Sequence, residues 1–268
     1  MTAVQAARPP AVDRWWARLF VPAAVPVLLL VGYQAVASSG ENPYFPTLQK
    51  IAAAAADLWF GAGLTRDVLP SLGNLLIGYS TGLLLGVALG LLLGRVPAVR
   101  RVVAPLVAFG LTLPTVALLP LFLIAFGIGA TMQQAVIAFA VFFVAVINTA
   151  DGIRDTDPVL LDYTRVYRLT RWRRIGLVII PAAASNILAA ARVGLSAGLL
   201  VMVVGEMVGA SHGIGAVTLL AQQDFAYDRM WAGIVLVGLL GIAINVGFLT
   251  LERRLAGRLG AAHTGGTP

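Results

Sequence analysis

The chain alternates between long apolar runs and short polar segments that are rich in arginine. A helix needs about 20 mostly apolar residues to cross the hydrocarbon core of a bilayer. Runs of suitable length lie at about 19–38, 71–94, 102–124, 131–150, 184–208 and 231–251. This pattern predicts an all-α, polytopic membrane protein with six transmembrane helices.

Composition supports the same class. Charged residues make up 12% of the 268 residues, whereas a soluble domain usually carries about 25%. The sequence contains no cysteine, which excludes disulfides and thiolate metal sites. Within the predicted second span, glycine recurs every fourth residue from Gly78 to Gly94. Such a row lies along one helix face and predicts close packing against another helix.

Basic residues predict the orientation, because they concentrate on the cytoplasmic side of membrane proteins. With a cytoplasmic N-terminus and six alternating spans, only Lys50, Arg66 and Arg229 lie outside, and Arg192 lies within the fifth span. The cytoplasmic segments then hold Arg8, Arg14, Arg18, Arg95, Arg100, Arg101, Arg154, Arg165, Arg168, Arg171, Arg173, Arg174, Arg253, Arg254 and Arg258. Topology thus explains the basic charge, and no nucleic-acid partner is expected.

This topology divides the chain into a cytoplasmic leader at 1–18, a transmembrane domain at 19–254 and a cytoplasmic tail at 255–268. Both termini are predicted to lie in the cytoplasm.

The cytoplasmic segment 151–182 is a long connection between spans and carries its own helix signals. Asp157 followed by Pro158 is typical of a helix start. The following residues give a short helix with an apolar and aromatic surface, and Thr170 is placed to cap a second short helix. Such a surface either docks on a soluble partner or lies on lipid headgroups, and periodicity alone leaves both alternatives open.

Several separated motifs resemble one family. LLDYTRVYRLTRWRRIGLVIIPAA at 160–183 resembles the EAA loop of the permeases of binding-protein-dependent ABC transporters. The nitrate, sulfonate and taurine branch of these permeases resembles this chain at FFVAVINTADGIRDTDP (142–158), PLFLIAFGIG (120–129) and GEMVGASHGIG (205–215). The resemblance extends from about Ser71 to Arg254.

This resemblance implies the fold and role of a type I importer permease for a small anionic solute, located in a bacterial inner membrane. Two copies of the permease would form the pathway, two separate ATPases would bind ATP and Mg, and an outer binding protein would deliver the solute. This chain would need no cofactor of its own. The residues expected to couple it to the ATPase are Asp162, Tyr163, Arg165, Val166, Tyr167, Arg168 and Leu169.

Three positions depart from the family pattern. Asp162 replaces the usual opening glutamate and keeps its charge, while Asn74 replaces a basic residue that is often seen early in the second span. Arg168 stands where glycine is usual. Glycine there permits a left-handed backbone at the helix end, so either the arginine adopts that conformation at some cost or the turn differs.

Other functional classes find less support. A P-loop needs a lysine after a glycine-rich turn, and the only lysine, Lys50, has no glycine near it. Ion-coupled transporters place ionisable residues at the midplane. Here the predicted spans hold only Arg192 and Glu206, which lie roughly 21 Å apart along one helix. His212 and His263 form no recognisable catalytic or metal-binding motif.

Candidate pathway residues are polar groups, a helix breaker and a methionine within the predicted spans. Polar groups in spans face either a pore or a neighbouring helix, and serine or threonine also bonds to its own helix backbone. The candidates are Thr112, Pro114, Thr115, Ser196, Met202 and Glu206.

Overall fold

The computed structural model describes the backbone of residues 15–40 and 42–261, and the side chains of residues 24–40, 42–250 and 252. These residues form helices joined by short connections. The first half contains α1 (Trp15–Ser38), α2 (Leu48–Trp59), α3 (Leu69–Arg95), α4 (Pro97–Thr112), α5 (Leu119–Phe126) and α6 (Ala130–Arg154). The second half contains α7 (Pro158–Val166), α8 (Arg171–Arg174), α9 (Ile180–Ala182), α10 (Ala184–Gly209), α11 (Ile214–Gln223) and α12 (Tyr227–Ala261).

Four helical segments are long and apolar enough to span a membrane. They are Leu64–Arg95, Ala130–Arg154, Ala184–Gly209 and Tyr227–Thr250, and they confirm the predicted second, fourth, fifth and sixth spans. A π-helical turn at Leu64–Val68 adds to the start of α3. The predicted first span at 19–38 lies within α1, and the part of it whose side chains are described, Ala24–Ser38, is apolar.

The predicted third span is wrong as a single continuous helix. Instead of running through 102–124, α4 ends at Thr112 and the helical segment Thr115–Phe126 leaves it at an angle of 90°. Proline at position 114 lacks an amide donor and disfavours the helical conformation in the preceding residue. Leu113 accordingly has an extended backbone, with φ −71° and ψ 123°. The pair forms either one broken span or a re-entrant segment.

The centre of the bundle is the packing of α3 against α6, with α10 against both. The glycine row of α3 faces α6, so the two backbones approach closely. A Cβ atom at Gly86 would lie 2.6 Å from the carbonyl oxygen of Phe142, and one at Gly90 would lie 2.7 Å from that of Val146. The close packing predicted from the glycine spacing is therefore confirmed.

Apolar side chains from these helices fill the core around this contact, while α12 packs on α10 and α11, and α2 packs on α12. The core consists of Val68, Leu75, Leu119, Met132, Val136, Ile137, Val141, Leu199, Val201, Met202 and Ile214.

A second apolar cluster closes the end of the bundle that carries α7. Ile153 of α6, Ile179 and Ala183 are buried together, and Leu161 of α7 packs against them. This cluster attaches α7 to the ends of α6 and α10.

At the opposite end, side chains of α10, of α3 and of the turn before it bind the start of α11. A helix begins with backbone N–H groups that lack partners within the helix, and the residue before α11, Gly213, has no side chain to accept from them. Three successive amides donate instead to distant side chains: Gly213 to Asp67 Oδ1 (3.0 Å), Ile214 to Ser71 Oγ (3.1 Å) and Gly215 to Glu206 Oε2 (2.8 Å). We call Asp67, Ser71 and Glu206 the α11 cap.

Substituting Gly90 with alanine should weaken the contact between α3 and α6, because the new methyl group would overlap Thr149 and the Val146 carbonyl. Overpacking of this kind costs about 1–3 kcal/mol. We expect a lower midpoint of thermal unfolding in detergent. Gly73→Ala on the same helix is the matched control, since no atom lies within 4 Å of its added Cβ, and equal midpoints for the two variants would contradict this packing.

Replacing Glu206 with leucine should leave the buried Gly215 amide without its acceptor, at a cost of about 1–3 kcal/mol. Glu206→Gln keeps an oxygen acceptor of similar reach and is the control. Hydrogen exchange followed by mass spectrometry should show faster exchange at residues 213–215 in the leucine variant only. Unchanged protection in that variant would show that Glu206 does not hold the start of α11.

Candidate functional site

The start of α7 follows its sequence signal. The Asp157 side chain accepts a hydrogen bond of 2.8 Å from the Val159 amide, and Pro158 is the first helical residue. The prediction of a helix start at this pair is confirmed. Thr170 does precede α8, as predicted, but its hydroxyl makes no capping hydrogen bond.

The end of α7 shows how the backbone accommodates Arg168 at the position where glycine is usual. Its φ is +51°, so the arginine adopts the left-handed conformation that glycine usually supplies. The Arg168 amide donates to the Arg165 carbonyl and the Leu169 amide to the Thr164 carbonyl, each at 3.0 Å. These two bonds form a Schellman motif. A non-glycine residue in this conformation costs about 1–2 kcal/mol, and the turn keeps the same form despite it.

Between these ends, α7 has one face on the bundle and one face free. Thr164 is buried and Leu161 packs on the cluster around Ile153. On the other side Tyr163, Val166 and Tyr167 have 56%, 76% and 75% of their surface exposed. We call these three residues the α7 patch.

The remaining predicted coupling residues lie around this patch in different environments. Asp162 and Arg165 form an exposed ion pair at 2.6 Å, which at a surface contributes less than about 1 kcal/mol. Leu169 is half-buried, so it is not part of the exposed face. Sequence reasoning left out Trp172 of α8, although 84% of its surface is exposed. The arginines on both sides of Trp172 were the sequence signal that this side chain is exposed.

The predicted pathway residues occupy three separate places. Thr112, Pro114 and Thr115 lie at the 90° break between α4 and α5. Ser196 lies on an exposed face of α10. Met202 and Glu206 are buried within the chain, the methionine in the core and the glutamate in the α11 cap. The structure does not bring the six together, and their pathway role stays a prediction.

Ser196 belongs to a groove between α10 and α12, which we call the α10–α12 groove. It is an open cleft of about 720 Å³ lined by Ala189, Arg192, Val193, Ser196, Gly238, Gly241, Ile242, Asn245 and Glu252. The Arg192 Nε donates to Asn245 Oδ1 at 3.1 Å. Asn245 was not singled out by sequence reasoning, since its neighbour on α10 is distant in the chain.

Asn74, which replaces a basic residue of the family pattern, is engaged in the interface between α3 and α6. Its amide nitrogen donates to Gln133 Oε1 at 2.6 Å, and its amide oxygen accepts from Gln134 Nε2 at 2.9 Å. Asn74 therefore joins two helices. Within the described ranges, no three His, Cys, Asp or Glu side chains are grouped so as to hold a metal ion.

Comparison with known proteins agrees with this architecture. Residues 82–258 match the family described as binding-protein-dependent transport system inner membrane component. The taurine transport system permease protein TauC of Escherichia coli K12 is 29% identical over 202 residues, which cover 75% of this chain and 70% of that protein. The SsuC protein of the same strain, a permease protein for aliphatic sulfonates transport, is 31% identical and covers 90% of this chain and 92% of its own.

Among solved structures, a chain of the methionine ABC transporter MetNI in an inward-facing conformation superposes with a TM-score of 0.63. The superposition covers 71% of this chain and 95% of the MetNI chain at 19% identity, so the likeness concerns the fold. With two thirds of its length matched by the family and a full-length relative at 31% identity, this chain belongs to the inner-membrane permease components of binding-protein-dependent ABC transporters.

Proposed function

We propose that this chain forms the translocation pathway of an ATP-driven importer for small anionic solutes such as taurine or other sulfonates. The substrate class is supported by the transport activities for which the relatives TauC and SsuC are named. The observation that carries the mechanism is the α7 patch, an apolar and aromatic surface on a helix that is fixed at both ends.

Coupling requires a rigid element that transmits the motion of a soluble ATPase to the spans. The Asp157 cap and the Schellman motif at Arg168 fix the two ends of α7, and Leu161 fixes its inner face. Buried aromatic side chains tend to dominate interface energies, so Tyr163 and Tyr167 are suited to anchor in a groove of the partner.

The rival role for α7 is to lie on lipid headgroups, with its arginines near anionic lipid. Asp162 is exposed beside the patch, and an anionic leaflet would repel it. Arg165 is the only basic residue of α7, and it is paired with Asp162. These features favour a protein partner.

The proposed assembly is a homodimer of this chain with two ATPase subunits, which bind ATP and Mg, and an outer binding protein. The chain spans the bacterial inner membrane six times. Its leader at 1–18, the loop at 151–182 and the tail at 255–268 lie in the cytoplasm. The permease domain at 19–254 supplies the pathway, with the break at Pro114 and the α10–α12 groove as candidate lining. Residues 1–14 and 262–268 lie outside the described structure.

No observation favours an ion-coupled transporter instead. Two buried carboxylates, Asp67 and Glu206, lie at the ends of spanning helices. Each accepts a backbone hydrogen bond at the start of α11. A structural role therefore accounts for these two acidic groups.

Replacing Val166 with aspartate should prevent the ATPase from co-purifying with this chain, because it buries a charge in the proposed interface at a cost of several kcal/mol. Thr170→Asp is the matched control: it adds the same charge to an exposed position of the same loop, just beyond α7. Co-purification and native mass spectrometry measure the outcome. Retained binding and normal substrate-stimulated ATP hydrolysis in the Val166 variant would contradict the assignment of α7.

The orientation is tested with single cysteines introduced into this cysteine-free chain. Asp57 and Arg165 are both exposed, so a thiol at either position is accessible to an impermeant maleimide on its own side of the membrane. In intact spheroplasts that express this chain without its ATPase, we expect labelling of Asp57→Cys, and of Arg165→Cys only after permeabilisation. The reverse pattern would contradict the proposed topology.

A further inference from the structure

An arginine within a membrane-spanning helix is costly and needs an explanation. Arg192 lies eight residues into α10, about 12 Å along its axis from Ala184. A charged side chain at the centre of a span costs about 2.5–3.5 kcal/mol on insertion scales, and such residues mark substrate and ion pathways. Arg192 is exposed and faces the α10–α12 groove.

The Arg192 guanidinium makes little use of its hydrogen-bonding capacity within the described part of the chain. A guanidinium has five N–H donors and no acceptor. Among the described side chains, its one hydrogen bond is from Nε to Asn245 Oδ1. That contact is with a neutral amide, which orients the guanidinium without neutralising it. Among the same described side chains, no carboxylate lies within salt-bridge distance of Arg192.

Small and polar residues surround this charge. Ser196 lies one turn after Arg192 on α10, and its hydroxyl donates to the Arg192 carbonyl at 3.4 Å. On α12, Gly238 and Gly241 precede Asn245 at helical spacing and add no side chain to the wall, whereas Ile242 adds an apolar one. Glu252 is seven residues beyond Asn245, about 10 Å along the helix, and is the acidic residue of the lining.

We propose that the α10–α12 groove is an anion-binding site on the translocation pathway, in which Arg192, held by Asn245, binds the sulfonate or comparable anionic group of the transported solute. The inference rests on the proposed function and assigns its charged contact. Planar guanidinium groups bind oxyanions through two parallel hydrogen bonds, and the free donors of Arg192 have that geometry.

The experiment is uptake of radiolabelled taurine and ethanesulfonate by proteoliposomes that contain the permease, its ATPase and saturating liganded binding protein. Because the binding protein is saturating, differences in solute delivery to the permease do not affect the uptake rate. Arg192→Gln should lower the uptake rate about tenfold or more, because it removes a charge-assisted contact. Arg192→Lys keeps the charge but not the fork, and should retain an intermediate rate. Arg101→Gln, which removes an exposed arginine of α4, is the control and should leave uptake unchanged.

Assembly and lipid dependence separate the alternatives. Arg192→Gln should co-purify with the ATPase and keep the wild-type unfolding midpoint; loss of assembly in both Arg192 variants would overturn the inference in favour of a structural role. The same defect is expected in phosphatidylcholine vesicles with and without phosphatidylglycerol. A defect that appears only with the anionic lipid would mean that Arg192 binds headgroups, and would overturn the proposal.

Different results would contradict the proposed site and the proposed substrate class. Normal sulfonate uptake by Arg192→Gln, beside normal uptake by the wild type, would overturn the site and leave the proposed function standing. If the wild-type complex carries neither sulfonate while its ATPase is active, the proposed substrate class itself fails, and the site assignment fails with it.

Discussion

The close contact between α3 and α6 is the constraint on which the rest of the structure depends. Helices surrounded by lipid gain little from the hydrophobic effect when they associate, so they are held by close packing and hydrogen bonds. The glycine row of α3 brings the backbone of α6 within van der Waals distance over more than four turns, from Gly78 to Gly94. Asn74 adds hydrogen bonds to Gln133 and Gln134 at one end of the same interface.

This packed centre supports two different ends. At the end near α7, apolar side chains around Ile153 and Ile179 fix the coupling helix. At the end near α11, the polar cap of Asp67, Ser71 and Glu206 replaces a conventional N-cap residue. Both devices act inside the chain, and three further features face outwards. They are the α7 patch, the break at Pro114 and the charge of Arg192 in its groove.

Local sequence signals predicted those parts of the fold whose causes are local. The bounds of α10 follow from its apolar run, and the start of α7 follows from Asp157 and Pro158. The break at Pro114 was visible as a proline, but the continuous hydropathy of 102–124 concealed that it bends the chain by 90°. Hydropathy measures transfer into lipid and is insensitive to backbone direction.

Features that depend on distant contacts could not be predicted. Asp67 lies 146 residues before the Gly213 amide that it binds, and Asn245 lies 53 residues after Arg192. The conformation of Arg168 was undecidable for a different reason: the left-handed state costs an arginine only about 1–2 kcal/mol. The two hydrogen bonds of the Schellman motif contribute a free energy of the same order. The sequence alone therefore could not show whether the left-handed turn forms.

The central claim is that α7 moves as one body with the glycine-packed core, so that motion of the ATPase reaches the pathway through it. Pulsed electron–electron resonance on spin labels at Thr170→Cys and Leu84→Cys, both exposed positions, measures this in the assembled complex with and without ATP. The account predicts a constant distance between the two labels within one chain, while the distance between the Thr170→Cys labels of the two permease copies changes. A change within the chain as large as the change between copies would contradict it.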